Sequence, residues 1–163
     1  MSNIKIMSLN INGINNPIKR QKVMAKFKKE KAQVIFLQET HLSPSEHDKL
    51  KKYGYRNLYH SSFKGGGRRG VAILISNATK FDLEKECRDK EGRYAIVKGR
   101  LENELVTLVN VYAPPESDKS FFKCLFDDII AEAGGVLVCG GDLNVIRDHK
   151  MDTTSLKKKP KCI

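Results

Sequence analysis

The stretch Val136–Asn144, VLVCGGDLN, decides how this chain is read. Val136, Leu137, Val138 and Cys139 form an unbroken apolar run, led in by Gly134-Gly135 and stopped by Gly140-Gly141. A short run of this kind predicts a strand buried on both faces. The two glycines that follow allow a sharp turn, so Asp142 and Asn144 stand just past the strand's C-terminal end. A carboxylate and an amide fixed to a rigid strand end suit the positioning of a metal or a phosphate. Alone, the stretch reads equally well as a capped turn, with Asp142 closing it and Asn144 tolerating left-handed backbone.

The pattern recurs three times. Ile4–Leu9 (IKIMSL) ends in Asn10, Val34–Gln38 (VIFLQ) in Glu39, and Leu105–Val111 (LVTLVNV) in Tyr112. In an α/β protein with two sheets, four such ends can gather at one rim. Carboxylates with amides and a phenol beside them are a plausible donor set for a hard cation and a phosphate.

With 163 residues the chain is long enough for one domain with a sizeable core. Its net charge of +11, from 30 Lys+Arg against 19 Asp+Glu, favours a polyanionic partner, nucleic acid before an anionic membrane surface. A basic surface also serves solubility alone. Cys87, Cys124, Cys139 and Cys162 show no CxxC spacing, which argues against a disulfide frame or a zinc site. The N-terminus lacks a hydrophobic signal core, and no segment approaches about 18 apolar residues. An intracellular, reducing location is expected, with no membrane partner.

Along the chain, a first strand over Lys5–Leu9 leads through a turn to a helix with Asn16 as N-cap and Pro17 at its first position. Ile18, Val23, Met24 and Phe27 mark its apolar side, and its exposed positions are mostly Lys. Ser43-Pro44-Ser45-Glu46 predicts a capping box and a short helix ending at Gly54, with His47 on the surface. Tyr55–His60 precedes the loop SSFKGGGRRG, Ser61–Gly70, where Lys64, Arg68 and Arg69 are candidate contacts to a phosphate backbone; a solvated hairpin loop is the alternative. The loop lacks the Lys-Ser/Thr of a nucleotide P-loop. Val71–Ile75 is a strand, and the residues after Asn77–Lys80 read as a polar stretch. Tyr94–Arg100 and Leu105–Val111 predict a hairpin about Glu102-Asn103-Glu104. A helix from Ser117-Asp118 to Ala133 is expected to bury Phe122, Leu125, Phe126, Ile129 and Ile130. The tail carries Lys157-Lys158-Lys159-Pro160-Lys161, a run like a nuclear-localisation cluster, so a nuclear location is expected.

The ordered set LNING at Leu9–Gly13, QETH at Gln38–His41, NVYAPP at Asn110–Pro115 and GGDLN at Gly140–Asn144 resembles the endonuclease/exonuclease/phosphatase superfamily. Within it the chain looks most like the endonuclease domain of LINE-type non-LTR retrotransposons, relatives of apurinic/apyrimidinic endonucleases. The resemblance implies a four-layer α/β sandwich, two mixed sheets flanked by helices. It implies that Glu39 is the principal ligand of Mg²⁺ or Mn²⁺ and that Asn10 helps fix the metal site. It further implies that Tyr112 donates toward the scissile phosphate, that Asp142 orients or deprotonates the attacking water, and that Asn144 binds a phosphate oxygen and holds Asp142. Asn12 stands where repair relatives often carry Asp.

The family's motifs continue to an aspartate and a terminal Ser/Asp-His pair, which residues up to Ile163 do not supply; His41, His47, His60 and His149 lack that context. The expectation is a partial domain over 1–152, its second half incomplete, followed by a basic tail, 153–163. The leading expectation is a metal-dependent DNA-nicking endonuclease, weak or inactive as this chain. The alternatives are a non-catalytic nucleic-acid-binding remnant and an inositol or lipid phosphatase of the same superfamily. An unpaired sheet edge would add self-association to DNA as a partner.

Overall fold

The structure, a computed structural model, describes residues 3–145. The basic run Lys157–Lys161, the tail 153–163, His149 and the expected boundary at residue 152 lie outside the described residues. No helix among the described residues is long and apolar enough to cross a membrane.

Among the described residues, two four-stranded sheets stack face to face. The first contains β1 (Ile6–Asn10), β2 (Val34–Gln38), β3 (Asn57–Ser61) and β4 (Val71–Ile75) in the order β1-β2-β4-β3. β1 runs parallel to β2, so Asn10 pairs with Gln38 at their C-terminal ends; β4 is antiparallel to both its neighbours. The second sheet is β5 (Phe81–Arg88), β6 (Tyr94–Leu101), β7 (Glu104–Tyr112) and β8 (Val136–Asp142) in chain order. Its first three strands form an antiparallel meander, and β8 returns parallel to β7.

Three apolar layers hold the stack together. Val34, Phe36, Val71, Ile73 and Ile75 face Ala95, Val97, Leu101, Val106 and Leu108 between the sheets. Ile35, Leu37, Ala72 and Leu74 cover the other side of the first sheet and meet Met24 and Phe27 of α1 (Pro17–Lys29). On the second sheet, Tyr94, Ile96, Val109 and Val111 meet Phe121 and Leu125 of α3 (Lys119–Glu132). The result is the expected four-layer sandwich. β2 and β4 are apolar on both faces because both faces are covered, as in any strand inside a layered α/β stack.

The local signals act as expected. The Asn16 side chain caps α1 by accepting from the backbone N–H groups of Ile18 and Lys19. Ser43 and Glu46 complete a capping box on α2 (Pro44–His47), which continues as a 3-10 turn over Asp48–Tyr53 and stops at Gly54, φ +97°. Glu102 and Asn103 both take positive φ in the β6–β7 turn.

Four expectations need correction. β8 is not buried on both faces: it pairs with β7 alone among the described residues, leaving Val136 58% and Leu137 46% exposed. An apolar run signals burial only if the strand has covered faces, and α3 lies over β5 and β6 instead. For the same reason the α3 stripe is narrower than its sequence: Phe121 and Leu125 are buried, whereas Phe126 is 56% and Ile130 76% exposed. The polar stretch after Lys80 is a strand, β5, whose Phe81, Leu83 and Cys87 alternate with charged residues along an edge. His47 is not on the surface but has no exposure at all.

Candidate active site

The two sheets present the C-terminal ends of β1, β2, β7 and β8 at one rim. β1 and β2 deliver Asn10 and, one residue past the strand, Glu39; β7 and β8 end side by side with Tyr112 paired to Asp142. Backbone glycines make room here. A Cβ on Gly141 would overlap the carbonyl of Val111, and one on Gly140 would stand 2.8 Å from the Phe36 ring.

Asn10 joins the two halves. Its Nδ2 donates to Glu39 Oε1 at 2.9 Å and to Asp142 Oδ2 at 3.0 Å, across 132 residues of chain. Its Oδ1 accepts from the Asn12 backbone N–H at 3.1 Å, which fixes the amide's orientation. Asp142 is held from the other side by the Asn144 backbone N–H, which donates to Oδ1 at 3.0 Å, while Asn144 Nδ2 donates to Ala113 O at 2.8 Å. Asn144 therefore supports Asp142 through the loop, with φ +47°. Glu39 itself has left-handed backbone, φ +51°, as does His41, φ +58°. Such non-glycine conformations persist only where surroundings impose them. Here the Glu39 carbonyl accepts from Gly13, the Thr40 N–H donates to Gly70, and the His41 N–H donates to Arg69. His41 Nε2 lies 3.5 Å from Glu39 Oε2.

Burial raises the Tyr112 phenol to about 12, reinforced by the negative charge of Glu39, a hydrogen bond to it, and the charge of Asp142. Tyr112 is therefore a hydroxyl donor, not a phenolate, at neutral pH. The open cleft beside these groups, about 730 Å³, is lined by Ser8, Asn10, Gln38, Pro115, Asp142 and Asn144 among others.

Among the described residues no three His, Cys, Asp or Glu side chains form a ready metal cage. The donor set nonetheless fits Mg²⁺, which prefers hard oxygens, keeps several waters and is often held by one or two carboxylates. Glu39 and Asp142 offer carboxylate oxygens on either side of the Asn10 amide, Asp142 lining the cleft. Asn10 positions both; its own oxygen is shared with the Asn12 N–H.

The loop 61–70 borders the site through the Gly70 and Arg69 carbonyls. Lys64 and Arg68 are exposed, and the Arg68 guanidinium stacks 4.1 Å from the Phe63 ring. Arg69 instead spends its guanidinium on Glu116 at 3.1 Å and Glu91 at 3.5 Å, so it ties the loop down.

Two supporting sets escaped the sequence reading. Beneath the rim, Asn110 of β7 donates to Leu37 O and Ala72 O at 2.9 Å, and accepts from Gln38 Nε2 at 2.8 Å. Behind Glu39, Thr40 Oγ1 lies 2.9 Å from His47 Nε2. Both sets include residues inside or beside the quoted motifs, but their roles depend on which elements face each other.

This arrangement coincides with a sequence match: residues 7–154 match the Endonuclease/Exonuclease/phosphatase family. The chain belongs to that family. Members and relatives resemble it along most of its length. The uncharacterised 149 kDa protein of transposon TX1 from Xenopus laevis is 26% identical over 150 residues, which span 90% of this chain and 11% of that protein. TDP2 from Caenorhabditis elegans superposes with a TM-score of 0.59 at 28% identity, over 88% of this chain and 48% of that one. An AP endonuclease from Archaeoglobus fulgidus shares the fold, with a TM-score of 0.62 at 23% identity, over 88% and 58%. The chain thus spans about half the length of these solved family structures, and about a tenth of the transposon protein. The superfamily's DNase-I-like sandwich and its phosphodiesterase and nuclease activities frame what this rim can do.

Proposed function

We propose that this chain's rim hydrolyses a phosphodiester bond of DNA with the help of Mg²⁺ or Mn²⁺, introducing a nick. The observation that carries the reading is the Asn10 amide, which draws Glu39 and Asp142 from different sheets to one cleft edge. Bound at Glu39, the ion would polarise the phosphoryl group and offset charge on the departing oxygen. The protein's own groups then have distinct tasks. Asp142, held by Asn10 and Asn144, accepts a proton from the water whose oxygen attacks phosphorus as the bond to the departing sugar oxygen breaks. Tyr112, kept protonated by its surroundings, donates to a phosphate oxygen. Lys64 and Arg68 supply sequence-independent contacts to the flanking backbone. The net charge of +11 favours DNA over an inositol or lipid phosphate, which the same rim chemistry would also accommodate.

The test is nicking of supercoiled plasmid with Mg²⁺ and with EDTA. Glu39→Ala is expected to abolish metal-stimulated nicking, and Tyr112→Phe to lower its rate by about 10²-fold, the usual cost of one transition-state donor. Undiminished nicking by Glu39→Ala would remove Glu39 from the site. Preferential release of phosphate from inositol phosphates, with no nicking, would transfer the reading to the phosphatase class. Salt-sensitive DNA binding with no cleavage would leave a binding remnant.

A further inference from the structure

Away from the cleft, the outer face of α1 is a strongly basic surface. Six of its thirteen residues are Lys or Arg and none is acidic. Met24 and Phe27, its buried apolar residues, are committed to the core beside the first sheet, and Arg20 is buried too. Lys19, Lys22, Lys26 and Lys29 are exposed, and among the described residues none forms an ion pair with a carboxylate. The nearest acid in sequence, Glu30, is bonded to Lys5 at 2.9 Å and carries a lowered pKa for that reason first, with Lys26 contributing. At 3.6 residues per turn these four lysines fall within roughly 80° of arc, forming one stripe about 15 Å long.

The stripe has a direction. Lys19 Nζ donates to the carbonyls of Ile11 at 2.7 Å and Asn12 at 3.2 Å, in the loop that leaves Asn10. The far end of α1 lies beside Lys5, at the start of β1 and at the opposite end of the sheet from the rim. A nucleic acid following the lysines must therefore leave the cleft edge and turn down the flank of the molecule. Duplex DNA, with a persistence length of about 50 nm, does not make that turn within 15 Å. A single strand does, and 15 Å of a track matches roughly four nucleotide steps at 3.4 Å of rise. A membrane surface fits less well, because the helix keeps no broad apolar face to insert.

We propose that Lys19, Lys22, Lys26 and Lys29 form a non-catalytic phosphate track for a single strand adjoining the cleft. The track contacts phosphates alone, which carry no sequence information, so it is tolerant of sequence. The proposal rests on the nucleic-acid reading of the cleft for its direction but not on cleavage.

Binding of a 20-nucleotide oligothymidylate is measured by fluorescence anisotropy in EDTA at several salt concentrations, using the full chain with Glu39→Ala so that nothing is cut. The triple variant Lys22→Gln, Lys26→Gln, Lys29→Gln is expected to lower the slope of log affinity against log salt by about 2, given about 0.7 per phosphate neutralised on a single strand. A second triple, Lys80→Gln, Lys85→Gln, Lys123→Gln, removes the same charge from the second sheet and α3 and is expected to change the slope by under 0.5. If the stripe triple does not fold, Lys26→Gln alone should lower the slope by about 0.7. Equal effects of the two triples would show a generic basic surface and overturn the track. So would an unchanged slope, an equal loss on duplex of the same length, or an equal loss on phosphatidylserine vesicles. Failure of Mg²⁺-dependent nicking with this slope change intact would overturn only the catalytic reading.

Discussion

Burying a histidine without a compensating acid settles its charge. His47 has no exposed surface, stacks on His60 at 4.4 Å and sits between Thr40 Oγ1, the Ser43 carbonyl and Ser62 Oγ. Desolvation, then the neighbouring His60, lowers it to about 3, against the weaker upward pull of the Ser43 carbonyl, Asp48 and Glu46. The neutral ring with its proton on Nδ1 donates to Ser43 O and accepts from Thr40. Between pH 6.5 and 3 the unfolded chain holds a proton on His47 that the folded chain does not, so stability is full above 6.5 and falls as pH drops toward 3. The loss is on the order of 5 kcal/mol at its limit. Urea midpoints measured from pH 7 to pH 4 should fall steeply for the native chain and less steeply for His47→Gln. Parallel curves for the two proteins would mean that His47 is not held neutral. Nothing in the residues around position 47 announces this, since a Ser-Pro-Ser-Glu-His start is the sequence of an exposed turn. Burial comes from β3, the next strand along the chain, folding back across it.

At the scale of elements, what the sequence determines locally could be read, and what neighbours determine could not. The caps of α1 and α2 and the β6–β7 turn depend on one to four residues, and each forms as its residues dictate. Exposure is different. Val136 and Leu137 look like core and stand on β8, at the edge of the sheet among the described residues, and Phe126 and Ile130 of α3 look like core and are exposed. Val136 and Leu137, beside backbone groups of β8 that have no neighbouring strand among the described residues, invite pairing with another chain. Concentration-dependent self-association is the expected outcome in light scattering at tens of micromolar. Val136→Lys with Leu137→Lys should suppress it, as lysines do on natural edges. The denaturation free energy should shift by no more than about 0.5 kcal/mol per site, the range of exposed substitutions. Association that persists in the double variant would place the contact elsewhere.

For the molecule as a whole, the order of four motifs was enough to predict that residues from Asn10 to Asp142 meet at one rim, because each motif ends a strand and the strand ends share a direction in both sheets. What holds the two sheets in register was not legible. Asn10 and Glu39 belong to the first sheet, Tyr112 and Asp142 to the second, so the site exists only while the sheets stay aligned. Asn110 supplies that alignment. It is fully buried, and its amide bonds Leu37 O, Ala72 O and Gln38 Nε2 across the sheet interface. Within NVYAPP it reads as one polar residue interrupting a strand, and only the opposing carbonyls of β2 and β4 explain it. Asn110→Ala removes the amide donor from the Leu37 and Ala72 carbonyls, each loss worth about 1–3 kcal/mol, while Gln38 Nε2 keeps Ser8 Oγ and Phe36 O. An unfolding free energy lower by about 3 kcal/mol or more is expected. Nicking should fall further than the folded fraction explains, because the halves of the site lose their common reference. Gln38→Ala removes one of the three bonds from the other side, so a double-mutant cycle between the two positions should show a coupling of about 0.5–3 kcal/mol. Additive effects, or an Asn110→Ala protein with native stability and native nicking, would show that apolar packing alone sets the sheets in place.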